Sequence, residues 1–408
     1  MNLFYDIMSL KWLGDGSKKE AIWLWLALSV WLPYVLSGVI MFLVFLVIML
    51  DDESRRIALS QKRMFALGAA ISVLSFVSAL ISLNYIGLCI AFGVLVVITS
   101  GCYLRATADR VIFNKSTVVL AAGSVAGFIA ALVQGEILKP GEPDYRPPAG
   151  AFNPNYYGNL IVFALIVCAV RFFEKKEENG EPFLWHQPPR WIWAVVGALD
   201  VAALFYSRSR SSLMALMACA LVYLVLSRHI WITLLCGAAF CGVWAIGYFN
   251  PDIFNWSNTL NNVFDGRVDI WKDTIEYFLR TPRNFLIGNG PMTYFHVFEE
   301  AGLCSAMHGH NIVFDTLINV GVIGLLLYTL LIFEILRAAW ENFRAKGKEW
   351  ILSLVIVAEI MVQGIADVTI MWLQTSVMFI LLVFPAKAKS DAVRQNGEAP
   401  DGASRVTE

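Results

Sequence analysis

Charge is what this 408-residue chain has least of. Only 15% of its residues are Asp, Glu, Lys or Arg, 58% are hydrophobic and the mean hydropathy is +0.63, a balance that excludes a soluble domain of this length. Sustained apolar–polar alternation is also missing, which excludes a membrane β-barrel. With seven cysteines in 408 residues no disulfide framework is implied. Cys89, Cys102, Cys168, Cys219, Cys236 and Cys241 fall in apolar runs, where they read as small buried residues, and Cys304 stands alone outside them. No cleavable leader pattern is visible, since the first apolar run begins late and is too long for one. The net charge of −1 gives no reason to expect a nucleic-acid partner.

What remains is a series of uncharged runs, among them Met41–Leu50, Val118–Ala131, Leu213–Leu226 and Ile323–Ile332. With their flanks most reach the roughly 20 residues that cross a bilayer. The expectation is an all-α polytopic membrane helix bundle. Its spans fall near 64–82, 84–104, 113–134, 156–173, 190–206, 210–227, 229–248, 311–336, 349–366 and 370–386. The apolar stretch Ala21–Leu50 is long for one helix and short for two; a hairpin near Pro33 gives about twelve spans, one tilted helix eleven. The polar gaps alternate in charge. One set holds Arg55, Arg56, Lys62, Arg63, Arg105, Arg110, Lys115, Arg171, Lys175, Lys176, Arg190, Arg228, Arg337, Arg344, Lys346, Lys348, Lys387, Lys389, Arg394 and Arg405. The other holds only Lys139, Arg146, Arg208, Arg210, Arg267, Lys272, Arg280 and Arg283. The positive-inside rule makes the first set cytoplasmic. The organisation expected is therefore an N-terminal transmembrane bundle over 1–248, an external segment with short amphipathic helices over 249–310, C-terminal spans over 311–386 and a disordered cytoplasmic tail over 387–408.

Four polar constellations lie on the outer side of that topology. The Pro-rich loop 134–157 forbids a helix until about Asn155, and Asn153 or Asn155 reads as a helix cap or as a polar contact to substrate. Tyr206-Ser-Arg-Ser-Arg-Ser-Ser212 wedges Arg208 and Arg210 between two spans, where they anchor to lipid headgroups or bind an anion, Arg210 ahead of Arg208. The stretch Asp265–Pro282 repeats Val268, Trp271, Ile275 and Phe278 at helical spacing, with Asp265 a possible cap and Thr281-Pro282 the stop. It reads as an amphipathic helix along the membrane surface or over the bundle. Arg267 in its first turn opposes the helix dipole, which suits an anion clamp or a solvated surface residue. The fourth is the turn Leu286-Ile-Gly-Asn-Gly290, followed by His296, His308 and His310. The His-Gly-His spacing is compatible with zinc, but no third ligand has convincing spacing. A neutral imidazole at a membrane face suits general base work. Asn311 caps the next helix or hydrogen-bonds substrate. Elsewhere Asp200, Glu334, Glu359 and Asp367 are the few charges within or beside spans.

Taken in order, Asn153-Pro-Asn155, Ser209-Arg210-Ser211-Ser212-Leu213, Gly266-Arg267 with Trp271, Leu286-Ile-Gly-Asn-Gly290 and His310-Asn311 followed by Gly321-Val-Ile-Gly324 resemble the O-antigen ligase / O-antigen polymerase superfamily of bacterial membrane glycosyltransferases. The resemblance covers roughly 150–330. It implies transfer of a glycan from undecaprenyl pyrophosphate to an acceptor hydroxyl at the periplasmic face of the inner membrane. The acceptor is a lipid A-core sugar in a ligase and a carrier-linked repeat in a polymerase. Arg210 and Arg267 would bind pyrophosphate and His310 would act as general base, without metal, cofactor or nucleotide sugar. Arg208, Asn155, Asn311, His308 and Trp271 complete the expected substrate-binding set. The ligase is favoured over the polymerase by the single compact external segment and the absence of a large C-terminal domain. A lipid-linked glycan flippase, the reading from another class, would call for more charges deep in spans and an inverted repeat.

Overall fold

The computed structural model describes residues 17–142, 145–151, 153–173, 188–228, 267–297, 308–344 and 350–384, with isolated helical positions at 231, 234, 235 and 238. Among them there is no strand. The helices are α1 (Lys18–Ser29), α2 (Tyr34–Leu50), α3 (Asp52–Ser60), α4 (Lys62–Ile81), α5 (Tyr85–Thr107), α6 (Arg110–Leu132), α7 (Pro154–Phe173), α8 (Arg190–Ser207), α9 (Arg210–Leu226), α10 (Arg267–Leu279), α11 (Pro282–Ile287), α12 (Thr293–Val297), α13 (Ile312–Arg344), α14 (Trp350–Ala366) and α15 (Leu373–Val383). Among the described residues six helices are long and apolar enough to cross a membrane, seven if the α2–α3 pair, bent by 97°, is one span; α9, α14 and α15 are shorter apolar helices. The protein is an all-α polytopic membrane protein. The apolar stretch near the N-terminus divides at Pro33, as the hairpin reading expects. The span expected at 229–248 and the tail from 387 lie outside the described residues, apart from the isolated helical positions.

The polar contacts sort to two ends. At one, ion pairs join helix termini: Lys18 to Asp51 at 2.6 Å, Lys19 to Asp109 at 2.6 Å, Arg105 to Glu341 at 4.0 Å, and Lys115 to buried Glu20. Asp51 also caps α3, and with Lys18 beside it its carboxyl is held down at about 2. At the other end sit α10–α12 and the connections α1–α2, α4–α5, α6–α7, α8–α9 and α14–α15; this is the loop end. Helix α7 is the central post. Within its most apolar window 72% of residues are buried, against 28% for α8, and it packs on α6, α8, α9, α14 and α15.

The α10–α12 segment is fastened to the bundle mainly through backbone. Helix α13 is broken at Gly321, whose φ of 65° is non-helical, so carbonyls of its first two turns lose their helical partners. The turn Gly288–Gly290 supplies two replacements: Asn289 N–H donates to the Ile318 carbonyl at 3.1 Å and Gly290 N–H to that of Asn319 at 2.7 Å. Asn84 Nδ2 donates to the Pro291 carbonyl at 2.7 Å, and Ser78 to that of Ile287. His296 is spent here, its Nε2 3.2 Å from the Ser82 carbonyl.

Helix α10 forms where the hydrophobic spacing places it, but a different stripe is buried. Ile270, Thr274 and Phe278 face the bundle, while Val268 and Ile275 are exposed. Much of the expected stripe therefore faces away from the protein, and Thr274 tolerates burial because its hydroxyl bonds Tyr294 and the Ile270 carbonyl. Asp265 lies outside the described residues, and Thr281 caps α11 rather than merely ending α10. Of the cysteines, Cys102, Cys168 and Cys219 are buried as expected and Cys89 is exposed; Cys236, Cys241 and Cys304 are not among the described residues.

Gly288 holds a φ of +65°, and a Cβ there would lie 2.5 Å from the carbonyl carbon of Asn319. Gly288→Ala is expected to destabilise the protein by about 1–3 kcal/mol from backbone strain alone. Gly93→Ala, on a helix with nothing within 4 Å of the added carbon, is expected to change stability by less than about 1 kcal/mol. Thermal unfolding of both variants in detergent checks this, and equal midpoints would refute the backbone fastening.

Candidate functional site

Asn153 settles the first local question. Its Oδ1 accepts from Asn155 N–H at 2.8 Å and Tyr156 N–H at 3.1 Å, capping α7. The Asn155 side chain is thereby released to bridge two charged groups. Its Nδ2 donates to Asp367 Oδ2 at 2.8 Å, and its Oδ1 accepts from Arg146 Nη2 at 2.6 Å. Arg146 also donates through Nε to the Ser207 carbonyl at 3.1 Å. The Pro-rich loop, the start of α7, the α8–α9 turn and the end of α14 thus meet around one amide.

Asp367 follows α14 directly and is fully buried. Its Oδ1 accepts from Val368 N–H at 2.8 Å and faces two imidazoles, with His308 Nε2 at 3.5 Å and His310 Nδ1 at 3.7 Å. Burial alone would raise its pKa, but His310, His308 and the Val368 N–H outweigh that and hold it below the ordinary carboxylate range.

The two histidines differ. His308 is buried between Asp367 and Tyr156, whose ring centroid is 6.3 Å away, and Tyr156 stacks in turn near Trp372 at 4.7 Å. Burial pushes the His308 pKa down to about 4, and the charges of His310 and Arg267 act in the same direction. Its Nδ1 lies 3.3 Å from the donating N–H of residue 310, so the ring proton belongs on Nε2, toward Asp367. Both ring nitrogens are engaged. His310 turns Nδ1 to Asp367, with 28% of the side chain exposed against 8% for His308. The backbone of His310 is left-handed, with φ 46°, an uncommon conformation for a non-glycine residue.

The turn that aims these rings is held by Gly309. Trp271 Nε1 donates to its carbonyl at 2.9 Å, and its own N–H donates to Asp315 Oδ1 at 2.9 Å. A Cβ there would lie 2.6 Å from the Tyr294 hydroxyl. Trp271 thus positions the His-Gly-His turn from α10. Asn311 is occupied structurally: its Oδ1 caps α13 through Val313 N–H at 2.9 Å and Phe314 N–H at 3.3 Å, and its Nδ2 donates to the Ile365 carbonyl at 3.2 Å.

Two arginines, Arg146 and Arg267, lie in the field of this carboxylate, and Arg208 and Arg210 lie in that of Arg146. Arg267 opens α10 within electrostatic range of Asp367 and His308. Arg146 lies in the fields of Asp367, Arg208 and Arg210. Burial lowers the pKa of both Arg146 and Arg267, without depriving a guanidinium of its charge near neutrality. Arg208 ends α8 in a left-handed conformation and Arg210 opens α9, both exposed. With one carboxylate and a neutral His308 among them, the local balance is strongly positive and suits a polyanion. His308, His310 and Asp367 each offer a ligand atom, all within 4.8 Å of one another, so the same cluster also has the donors for a three-coordinate metal site.

Sequence reasoning named most of these residues and missed Arg146, Asp367 and Tyr156. Arg146 was visible as an outer-side cation, and Asp367 as a charge beside a span. The class defined by fold and site is a polytopic membrane protein with a cation-lined, histidine-bearing site at one end. Residues 183–329 match the family model described as O-antigen ligase. That match, over about a third of the chain, bears out the resemblance to the O-antigen ligase/polymerase superfamily. It runs from before α8 to within α13, so Arg146, Asn155 and Asp367 lie outside it. No curated protein matches the chain.

Folding keeps His308 neutral to about pH 4, whereas an unfolded histidine takes up its proton near 6.5. Between those values the unfolded state binds the extra proton. Stability is therefore present above about pH 6.5 and is lost as pH falls toward 4, at up to about 1.4 kcal/mol per pH unit. Unfolding measured across this window should show a shallower slope for His308→Asn than for the parent protein. Identical slopes would mean that His308 is not held neutral.

Proposed function

We propose that the protein is an O-antigen ligase, transferring a glycan from undecaprenyl pyrophosphate to a sugar hydroxyl of lipid A-core at the periplasmic face of the inner membrane. The observation that supports this reading is the Asp367–His310 pair, with Arg146 and Arg267 in the field of Asp367 and Arg208 and Arg210 in that of Arg146. In the proposed step His310 Nε2 takes the proton of the acceptor hydroxyl. The hydroxyl oxygen attacks the anomeric carbon from the face opposite the carrier, and the bond to the pyrophosphate oxygen breaks with its electron pair leaving on that oxygen. Configuration inverts. The charge that develops on the leaving pyrophosphate is stabilised by fixed guanidinium groups more in the transition state than in the ground state. Asp367 orients the His310 ring and stabilises the imidazolium that forms. His308, with both nitrogens engaged, packs behind that pair and holds the turn.

This division of labour separates binding from turnover. His310→Ala is expected to lower transfer by roughly 10²–10⁴-fold, the usual range for a general base, while leaving affinity for the carrier-linked donor nearly unchanged. Arg210→Ala and Arg267→Ala are expected to weaken donor binding as well. Unchanged donor affinity in both arginine variants would overturn the anion-clamp assignment.

The acceptor decides between ligase and polymerase. Purified protein given carrier-linked glycan together with lipid A-core should glycosylate the lipid A-core; exclusive growth of carrier-linked chains would make it a polymerase. Transfer is expected to survive EDTA. Loss of transfer that a divalent ion restores would instead place a metal on His308, His310 and Asp367 and remove His310 from the role of base.

A further inference from the structure

Below the site, α14 carries a second carboxyl. Glu359, Gln363 and Asp367 recur every four residues and so share one face of the helix. Asp367 meets Asn155 of α7, and two turns deeper Glu359 meets Asn159 of α7, whose Nδ2 donates to Glu359 Oε1. Between these two rungs, Gln363 Nε2 donates to Ser211 Oγ at 3.2 Å and Ser212 Oγ at 3.4 Å on α9. Ser212 is bonded to Ser209 Oγ at 2.7 Å, and Ser209 N–H donates to Ser207 Oγ at 3.3 Å. Ser207 is the residue whose carbonyl holds Arg146. The serines also border Arg208 and Arg210.

All three of the deeper side chains are fully buried. Each keeps one polar atom with no partner among the described residues: Glu359 Oε2, Asn159 Oδ1 and Gln363 Oε1. Every one of these is an acceptor as assigned; what the cluster lacks is hydrogen to donate. Among the described residues, Asn159 is the side chain that donates to Glu359, and Cys219 of α9 is the titratable group in its field. No Lys, Arg or His faces it from α7, α9, α13 or α15 among the described residues. An ionised carboxylate there would be an uncompensated charge in the membrane interior.

We propose that Glu359 is a proton-binding site and, in its protonated form, a positioning residue for the arginine-bearing α8–α9 turn. A proton on Oε2 lets Glu359 donate to Gln363 Oε1, one turn away on the same face. The hydrogen bonds then run unbroken from Asn159 through Glu359, Gln363 and Ser212 to Ser209 and Ser207, and so to Arg146 and Asn155 in the site. Removal of that proton breaks the chain at Glu359 and loosens the turn that carries Arg208 and Arg210. The part concerning donor binding rests on the reading of those arginines as the pyrophosphate clamp; the protonation itself does not.

Glu359→Gln mimics the protonated acid, accepting from Asn159 and donating to Gln363, whereas Glu359→Leu can do neither. Infrared difference spectra of the purified full-length protein, parent minus Glu359→Gln, should show a protonated-carboxyl carbonyl band at neutral pH; a carboxylate band in its place would overturn the proposal. Binding of undecaprenyl pyrophosphate should weaken in the parent as pH is raised far enough to remove that band. Glu359→Gln should bind as the parent does at neutral pH and stay flat over the same range, and Glu359→Leu should bind about tenfold more weakly. An alkaline loss shared by Glu359→Gln, or parent-like affinity in a folded Glu359→Leu, would remove the positioning role. If the parent itself shows no affinity for the carrier pyrophosphate, the ligase reading and the positioning role fall together, and the infrared band still decides whether Glu359 holds a proton.

Discussion

The carboxylate of Asp367 sits at the end of a membrane helix with no exposure to solvent, where an ion without partners would be costly. It is compatible with a stable bundle because five groups from different stretches of chain converge on it: the Asn155 amide, the Val368 N–H, the two imidazoles and, through its field, Arg267. Each of these has its own dependence. Asn155 is available because Asn153 does the capping, the imidazoles are aimed because Trp271 and Asp315 grip Gly309, and Arg267 reaches the site because α10 is fastened over a broken helix. Disturbing one support leaves the carboxylate short of compensation, and the site is accordingly assembled as a unit.

Local features were read well from sequence. The apolar runs gave most helix limits to within a few residues, the Pro-rich loop delayed α7 to Pro154, and the division at Pro33 followed from length. Residues that act through neighbours in sequence were also legible, as with the caps Asn153 and Asn311. What could not be read was tertiary convergence. Arg146 looked like one of several outer-side cations, and Asp367 like a stray charge, because their shared partner Asn155 lies 212 residues from Asp367. The buried face of α10 was not legible for a related reason. Apolar residues face lipid as readily as protein, so hydrophobic spacing locates a membrane-surface helix without telling which stripe the bundle covers.

The two histidines show how much a short motif depends on its backbone. His308 and His310 are equivalent in a His-Gly-His string, and both face the same oxygen. The left-handed turn at His310, together with the N–H it directs at its neighbour's ring, makes them chemically distinct: one is enclosed with both nitrogens committed, the other is partly exposed. Asymmetry of this kind lets one imidazole react while the other maintains the geometry.

Helix α7, the buried post of the bundle, has a consequence for biosynthesis. Its two asparagines reach into a seam whose other side, α14, emerges from the ribosome some two hundred residues later. At roughly 5–20 residues per second of synthesis, α7 waits about ten to forty seconds in the membrane before Asp367 and Glu359 arrive. During that interval Asn155 and Asn159 must find temporary partners in water, in neighbouring helices or in the insertion machinery, and the seam closes only when α14 has been threaded into place.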